Sequence, residues 1–305
     1  SALEIGAING ESTSSSTFAG TLSGTATARK IGTGTWTLTH ANPFSGTMRI
    51  DEGSVVLGVG SALQNATVEI NLDNGLNING LNATIGALAG SGDLNLGGRI
   101  LTIDGNGQST TYSGDLSGND ASKLTYSGAD MQTLMGTTGS VGVLSSTGGG
   151  ELKLSGVNLT ATADVEAAGV AISGSKLTIH DGSLLHFTAG ELTTALNGLT
   201  TIAGNGTTLT VDNPVFSIVG GQTIVEDNAE LIAGRNNIAA NSSPGSGSMI
   251  ARSGADVTIN GDTTIGQNVG DTGDLLVTGA GTTYQTDSLE LGGSSSSPGG
   301  TGTVN

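Results

Sequence analysis

The chain has 305 residues, among them 53 glycines, 4 prolines and no cysteine. So much glycine disfavours helices, while an apolar share of 35% with 11% charged residues excludes a disordered chain. A formal net charge of −17 and a pI near 4.1 exclude phosphate backbones and anionic lipid as partners, and the lack of cysteine removes disulfides, thiolate metal sites and thiol nucleophiles.

No composition shift divides the chain, so one elongated repeat region over residues 1–305 is expected. No basic start followed by an apolar run opens it, and no apolar stretch is of membrane-spanning length. The expectation is a segment that does not enter a membrane, and a piece of a longer surface protein or one whose leader has been removed.

Taken in chain order, the segments alternate with period two, which is the strand signature. In Thr47-Met-Arg-Ile-Asp-Glu-Gly-Ser-Val-Val-Leu-Gly58, Met48 and Ile50 share a face, and beyond the corner at Gly53 Val55 and Leu57 share the same interior. Arg49, Asp51 and Val56 then point away. The pattern returns at Leu94/Leu96, Leu101/Ile103, Leu152/Leu154, Leu177/Ile179, Leu209/Val211, Val257/Ile259 and Leu275/Val277, each beside a Gly, Asn, Asp or Ser turn. Between about 155 and 203 the alternation is diluted by Ala-rich text, and short helical turns are expected near 160–169 and 191–197. Loops are expected at 145–150, 236–248 and 292–302, where Ser, Gly and Pro gather.

Short strands with glycine turns suit a β-sandwich as well as a solenoid. A sandwich of this length needs a thick core filled by aromatic rings, and the chain has 1 Trp, 3 Tyr and 4 Phe. A narrow coil lined by Leu, Ile, Val and Thr needs none. The predicted fold is therefore all-β, a parallel β-helix of roughly 20 to 25 residues per rung, or on the order of 12 to 15 rungs, with Thr and Asn ladders along it.

Phe18-Ala-Gly-Thr-Leu-Ser-Gly24, Lys30-Ile-Gly-Thr-Gly-Thr-Trp-Thr-Leu-Thr39, Ala41-Asn-Pro-Phe-Ser-Gly-Thr-Met48 and Ile50-Asp-Glu-Gly-Ser-Val-Val-Leu-Gly58 follow one another in order. This text resembles the autotransporter-associated β-strand repeat. A weaker copy runs from Leu88-Ala-Gly-Ser-Gly-Asp-Leu-Asn-Leu-Gly97 to Tyr112-Ser-Gly-Asp-Leu-Ser-Gly118, and Gly273-Asp-Leu-Leu-Val-Thr-Gly-Ala-Gly-Thr-Thr-Tyr284 has the same texture. The resemblance covers a quarter to a third of the chain. It implies a right-handed parallel β-helix on a Gram-negative cell surface, part of a long protein secreted through an outer-membrane β-barrel, acting as a structural scaffold or filament or as an adhesin. The implied partners are other copies, neighbouring surface proteins, glycans or a host surface, with no nucleic acid.

The enzymatic alternative is a polysaccharide lyase or glycosidase on the same fold, which needs acids clustered on adjacent rungs. Asp51-Glu52 and Glu226-Asp227 are the acid pairs adjacent in sequence, and both read as strand-to-turn junctions. Asp212, beside Pro214, reads as a turn former. His180 and His186, six residues apart, make a weak metal pair without a third ligand. Gly204-Asn-Gly and Gly279-Ala-Gly open no helix and precede no lysine, so they read as turns and not as phosphate loops. Asp104-Gly-Asn-Gly, resembling the start of a calcium nonapeptide, does not repeat. Trp36, Tyr112, Tyr126 and Tyr284 are isolated, against a sugar-stacking platform; Trp36 takes an inward repeat position, and Phe18, Phe44 and Tyr112 cover rung corners. The sequence thus nominates no catalytic residue, no cofactor and no metal site.

Overall fold

The computed structural model describes residues 3–5, 13–162, 170–189, 192–195, 197–212, 215–239, 245–294 and 297–305. Every regular element among them is a β-strand. The chain divides into two compact units, Ser1–Leu144 and Ser145–Asn305, and each is a parallel β-solenoid of its own.

In the first unit, the strands Ala28–Lys30, Thr47–Ile50, Leu63–Ile70 and Ala83–Gly90 stack in register. Ala28 lies beside Met48, Met48 beside Val68 and Val68 beside Leu88, a step of 20 residues each time. Gly90 then pairs with Tyr112 and Tyr112 with Leu134, and the step lengthens to 22. A second stack carries Ser16, Trp36, Val55 and Leu76 side by side. A third opens where Leu63 pairs with Ile85, and continues through Ile85, Ile103 and Tyr126.

The core follows from this registry. Residues on one side of each strand meet their counterparts on the rungs above and below, so Met48, Ile50, Val55, Leu57, Val68, Ile70, Ile85 and Leu88 are all fully buried. Each such aliphatic contributes about 1.5–3 kcal/mol, and strand spacing of about 4.8 Å lets like residues touch. Trp36 is buried against Phe18, ring centroids 5.6 Å apart. Corners are drawn tight where a side chain has no room: Gly90 has φ +99°, and a Cβ there would lie 2.0 Å from the Ile70 carbonyl oxygen.

In the second unit three stacks run in parallel. The first aligns Leu152, Leu177, Thr200, Thr223, Met249, Leu275 and Val304. The second aligns Leu159, Leu185, Leu209, Leu231, Val257 and Tyr284. The third aligns Ser146, Ile172, Thr194, Ile218, Ile238, Ile265 and Leu291. Steps along the first stack are 25, 23, 23, 26, 26 and 29 residues, longer than in the first unit. The solenoid therefore has about 11 turns, fewer than the 12 to 15 expected from a rung of 20 to 25 residues.

The paired aliphatics foreseen from alternation are buried, Val277 excepted, which is half-buried. Stretch 155–203, expected to be irregular, holds the strands Asn158–Ala161, Lys176–His180, Leu184–Phe187 and Leu199–Ala203. Alanine and threonine fill inward positions there that larger aliphatics fill elsewhere. The helical turns expected near 160–169 and 191–197 fall in good part on residues outside those described, as do 240–244 of the expected loop at 236–248. Within 292–302, Gly293–Ser294 and Ser297–Pro298 form a short antiparallel pair.

Candidate functional site

The acids and histidines that chemistry would need are tied into the rungs. Arg29, Arg49 and Glu69 occupy one outward register of three successive strands. Asp51, just beyond Ile50, receives hydrogen bonds from Arg29, from Arg49 Nε at 2.9 Å and from Asn71 Nδ2 at 2.8 Å, and Arg49 lies 3.4 Å from Glu69. Partial burial works to raise the Asp51 carboxyl, but the Arg29, Asn71 and Arg49 donors outweigh it and hold it below the usual carboxylate range. Glu52 accepts the Gly32 N–H at 2.7 Å. Lys30, buried at an inward position, donates from Nζ to the carbonyls of Gly32 at 2.5 Å, Ile31 at 3.0 Å and Glu52 at 3.1 Å. Burial lowers its pKa, the Glu52 carboxylate opposing the shift. Asp51-Glu52 is thus the hub of a cross-rung ion and hydrogen-bond network.

Three further acids stand on consecutive rungs. The Asp93 N–H donates to Asp73 Oδ1 at 3.1 Å, the Asp115 N–H to Asp93 Oδ1 at 3.0 Å, and the Thr138 N–H to Asp115 Oδ1 at 2.9 Å. Each carboxylate caps the backbone of the rung above. The neighbouring Tyr112 hydroxyl donates to the Gly92 carbonyl at 2.8 Å and the Asp115 carbonyl at 3.1 Å. Burial first, then the charges of Asp93, Asp115 and Asp73, raise the pKa of that phenol, so it remains a donor.

In the second unit, Asp181 accepts from the Ser155 hydroxyl at 2.8 Å and lies 2.6 Å from His180 Nδ1. The two hydrogen bonds hold the Asp181 carboxyl low. Serine and histidine both address the carboxylate and not each other, and His180 Nε2 is buried without a partner, so the three do not form a nucleophile–base–acid relay. His186 Nε2 lies 2.7 Å from Asp212 Oδ2 at an exposed position; the adjoining Pro214 is outside the described residues. The two histidines have different carboxylate partners. Glu226 pairs with Arg252 Nε at 2.6 Å, and Asp227 sits in a turn with φ +56°.

The remaining candidates are turns. Gly204 and Gly206 have φ +95° and +77°, Gly279 and Gly281 +97° and +77°, and Gly105 and Gly107 +76° and +79°. Asp104 accepts from the Ser127 hydroxyl at 2.7 Å, and Asn106 donates to Thr67 Oγ1 at 2.9 Å. Phe44, Trp36, Tyr112 and Tyr126 are buried. Tyr284 joins Asn236 and Thr263 through hydrogen bonds of 2.8 Å each. Among the described residues, no three of His, Asp and Glu gather where they could hold a metal ion.

What the outer surface does present are ladders. Thr84, Thr102 and Thr125 stack across one sheet of the first unit. A groove of about 430 Å³ runs along the second unit beside Gly198, Gly221 and Gly247, with Gln222, Ser248 and Asp274 on one register along its edge. Next to that register lies one the alternation reading missed: Thr201, Ile224, Ile250 and Leu276 point outward while Thr200 and Thr223 point inward. The runs Thr-Ile-Val, Met-Ile-Ala and Leu-Leu-Val, apolar or nearly so at three consecutive positions, were the available signal that both faces of these strands are apolar.

The chain is 28% identical over 204 residues, 63% of its length, to the adhesin BmaC autotransporter of Brucella suis biovar 1 (strain 1330). It spans 6% of that protein's length. No family model matches it, and no solved structure does. In both fold and sequence, then, the chain is similar to an autotransporter passenger repeat protein.

Proposed function

We propose that this chain is a section of a bacterial surface protein, exposed outside the cell, whose role is adhesive or structural and not catalytic. The observation that carries this reading is the use made of the polar groups. Asp51, Glu52, Asp73, Asp93, Asp115 and Asp181 are held by donors from their own or a neighbouring rung, which suits load-bearing rungs and leaves the ladder faces as the surface offered to partners. The likeness to a Brucella adhesin supports the adhesive half. A glycosidase or lyase would need such acids unengaged and facing a common cleft.

Beads coated with the purified chain test the reading on monolayers of host cells. Attachment several-fold above albumin-coated beads is expected, with no shortening of a panel of polysaccharides. Attachment equal to albumin together with polysaccharide cleavage would overturn it.

A further inference from the structure

The first sheet of the second unit breaks the rule that apolar residues point in and polar residues out. At its centre the inward positions are Thr200 and Thr223, both fully buried, with Thr194 Oγ1 lying 2.8 Å from Thr200 Oγ1 and 3.4 Å from Thr223 Oγ1. Outward on the same and following strands come Ile224, Ile250 and Leu276, directly in register. Ile224 and Ile250 are half-exposed, and Leu276 is 36% exposed. At about 4.8 Å per rung they make a continuous aliphatic stripe on a flat sheet. The adjacent sheet, built from the same rungs, puts His186, Thr210, Ile232 and Thr258 at the equivalent outward positions, so the stripe is not a consequence of overall composition.

Charge identifies the occupant. The outward positions of this face carry Lys153, Lys176 and Arg252 against Glu151, Glu226 and Asp274, three against three, in a chain with 9 basic and 26 acidic residues. Arg252 and Glu226 neutralise each other directly. Two copies of a chain with net charge −17 repel at long range, and a balanced apolar patch is where that repulsion is weakest. Such a patch matches a surface of its own kind better than a charged partner. We infer that this face, centred on Ile224 and Ile250, is a self-association surface on which a second copy of the same chain docks sheet to sheet. The inference deepens the adhesive reading above, because copies on neighbouring cells would join through it. Asp181 and Asp227, in the turns at its margin, add like charge at the rim, so association strengthens as salt rises.

Sedimentation velocity of the purified chain over a concentration series, at low and at 0.5 M salt, tests this without cells. Dimer formation is expected, tighter at high salt. I224N/I250N should move the midpoint at least tenfold higher in concentration with an unchanged melting temperature, as both side chains lie outside the core. Thr201→Arg, which adds charge to the face and removes nothing from it, should do the same, and serves should the double variant fold poorly. Ile232→Asn on the adjacent sheet should leave association as it is. A chain monomeric at every concentration and salt, or face variants that associate like the parent, would overturn the inference. Bead attachment to host cells, measured separately, would still stand in that case, with the face left to a different occupant.

Discussion

The side-chain amide of Gln132 pairs with both backbone groups of Leu88, donating from Nε2 to its carbonyl at 3.0 Å and accepting its N–H on Oε1 at 3.2 Å. The residues are 44 apart in the chain. Tyr112 pairs with Gly90, but the ladder lapses at Leu88, and a primary amide, with the same donor and acceptor as a peptide group, takes the vacant place. Oε1 also accepts from the Thr110 hydroxyl at 2.9 Å, and the amide is 1% exposed.

Gln132→Met keeps the volume and removes the amide. It leaves a buried N–H and C=O of Leu88 unpaired, so a loss of about 2–4 kcal/mol is expected. Hydrogen exchange should show Leu88 losing protection ahead of Val68, one rung away.

The Asp51 network makes the first unit sensitive to acid. Its folded pKa lies below the ordinary value of 3.8, so its contribution is complete above that value and is lost as pH falls through the folded one. Asp51→Asn should lower stability by about 1–2 kcal/mol at pH 7, and should flatten the loss of stability between roughly pH 4 and pH 2 in denaturant titrations. An unchanged acid slope would show that other carboxylates dominate.

Gly90→Ala puts a methyl 2.0 Å from the Ile70 carbonyl oxygen at a φ of +99°. The rung must separate there, and a loss of at least about 3 kcal/mol is expected. Gly107→Ala has an open surrounding, so only its φ of +79° opposes it, and about 1 kcal/mol should follow. Chemical denaturation of the two variants side by side separates crowding from dihedral strain.

Asp271, 1% exposed, accepts the Gly245 N–H at 2.9 Å on one oxygen and the Asn268 N–H at 2.8 Å on the other. Asp271→Ala frees both donors, at a cost of about 2–3 kcal/mol. Proteolysis should then cut first near residues 266–271, while strand Gln222–Glu226 keeps its exchange protection.

Much of the fold was legible because a solenoid repeats one local pattern. Period two at Met48/Ile50 and Val55/Leu57, with a corner at Gly53, already states which side chains face inward, and all four are fully buried. Strands at 158–161 and 176–203 were obscured because Ala and Thr take inward places there, and neither type marks a core by itself. Gln132 was silent for a different reason. Its role depends on Leu88, two rungs away, and the spacing of 44 residues arises from the lengths of the intervening turns.

The sequence by itself determined the class of fold, the inward residues of most strands and the turn character of its glycine motifs, since each depends on neighbours within a few positions. Tertiary structure alone decided which residues stand on adjacent rungs. That depends on rung length, which runs from 20 residues between Met48 and Val68 to 29 between Leu275 and Val304. It is this registry that turns Asp73, Asp93 and Asp115 into caps for the backbone above them, and that brings Ile224, Ile250 and Leu276 together as one stripe on the outer face.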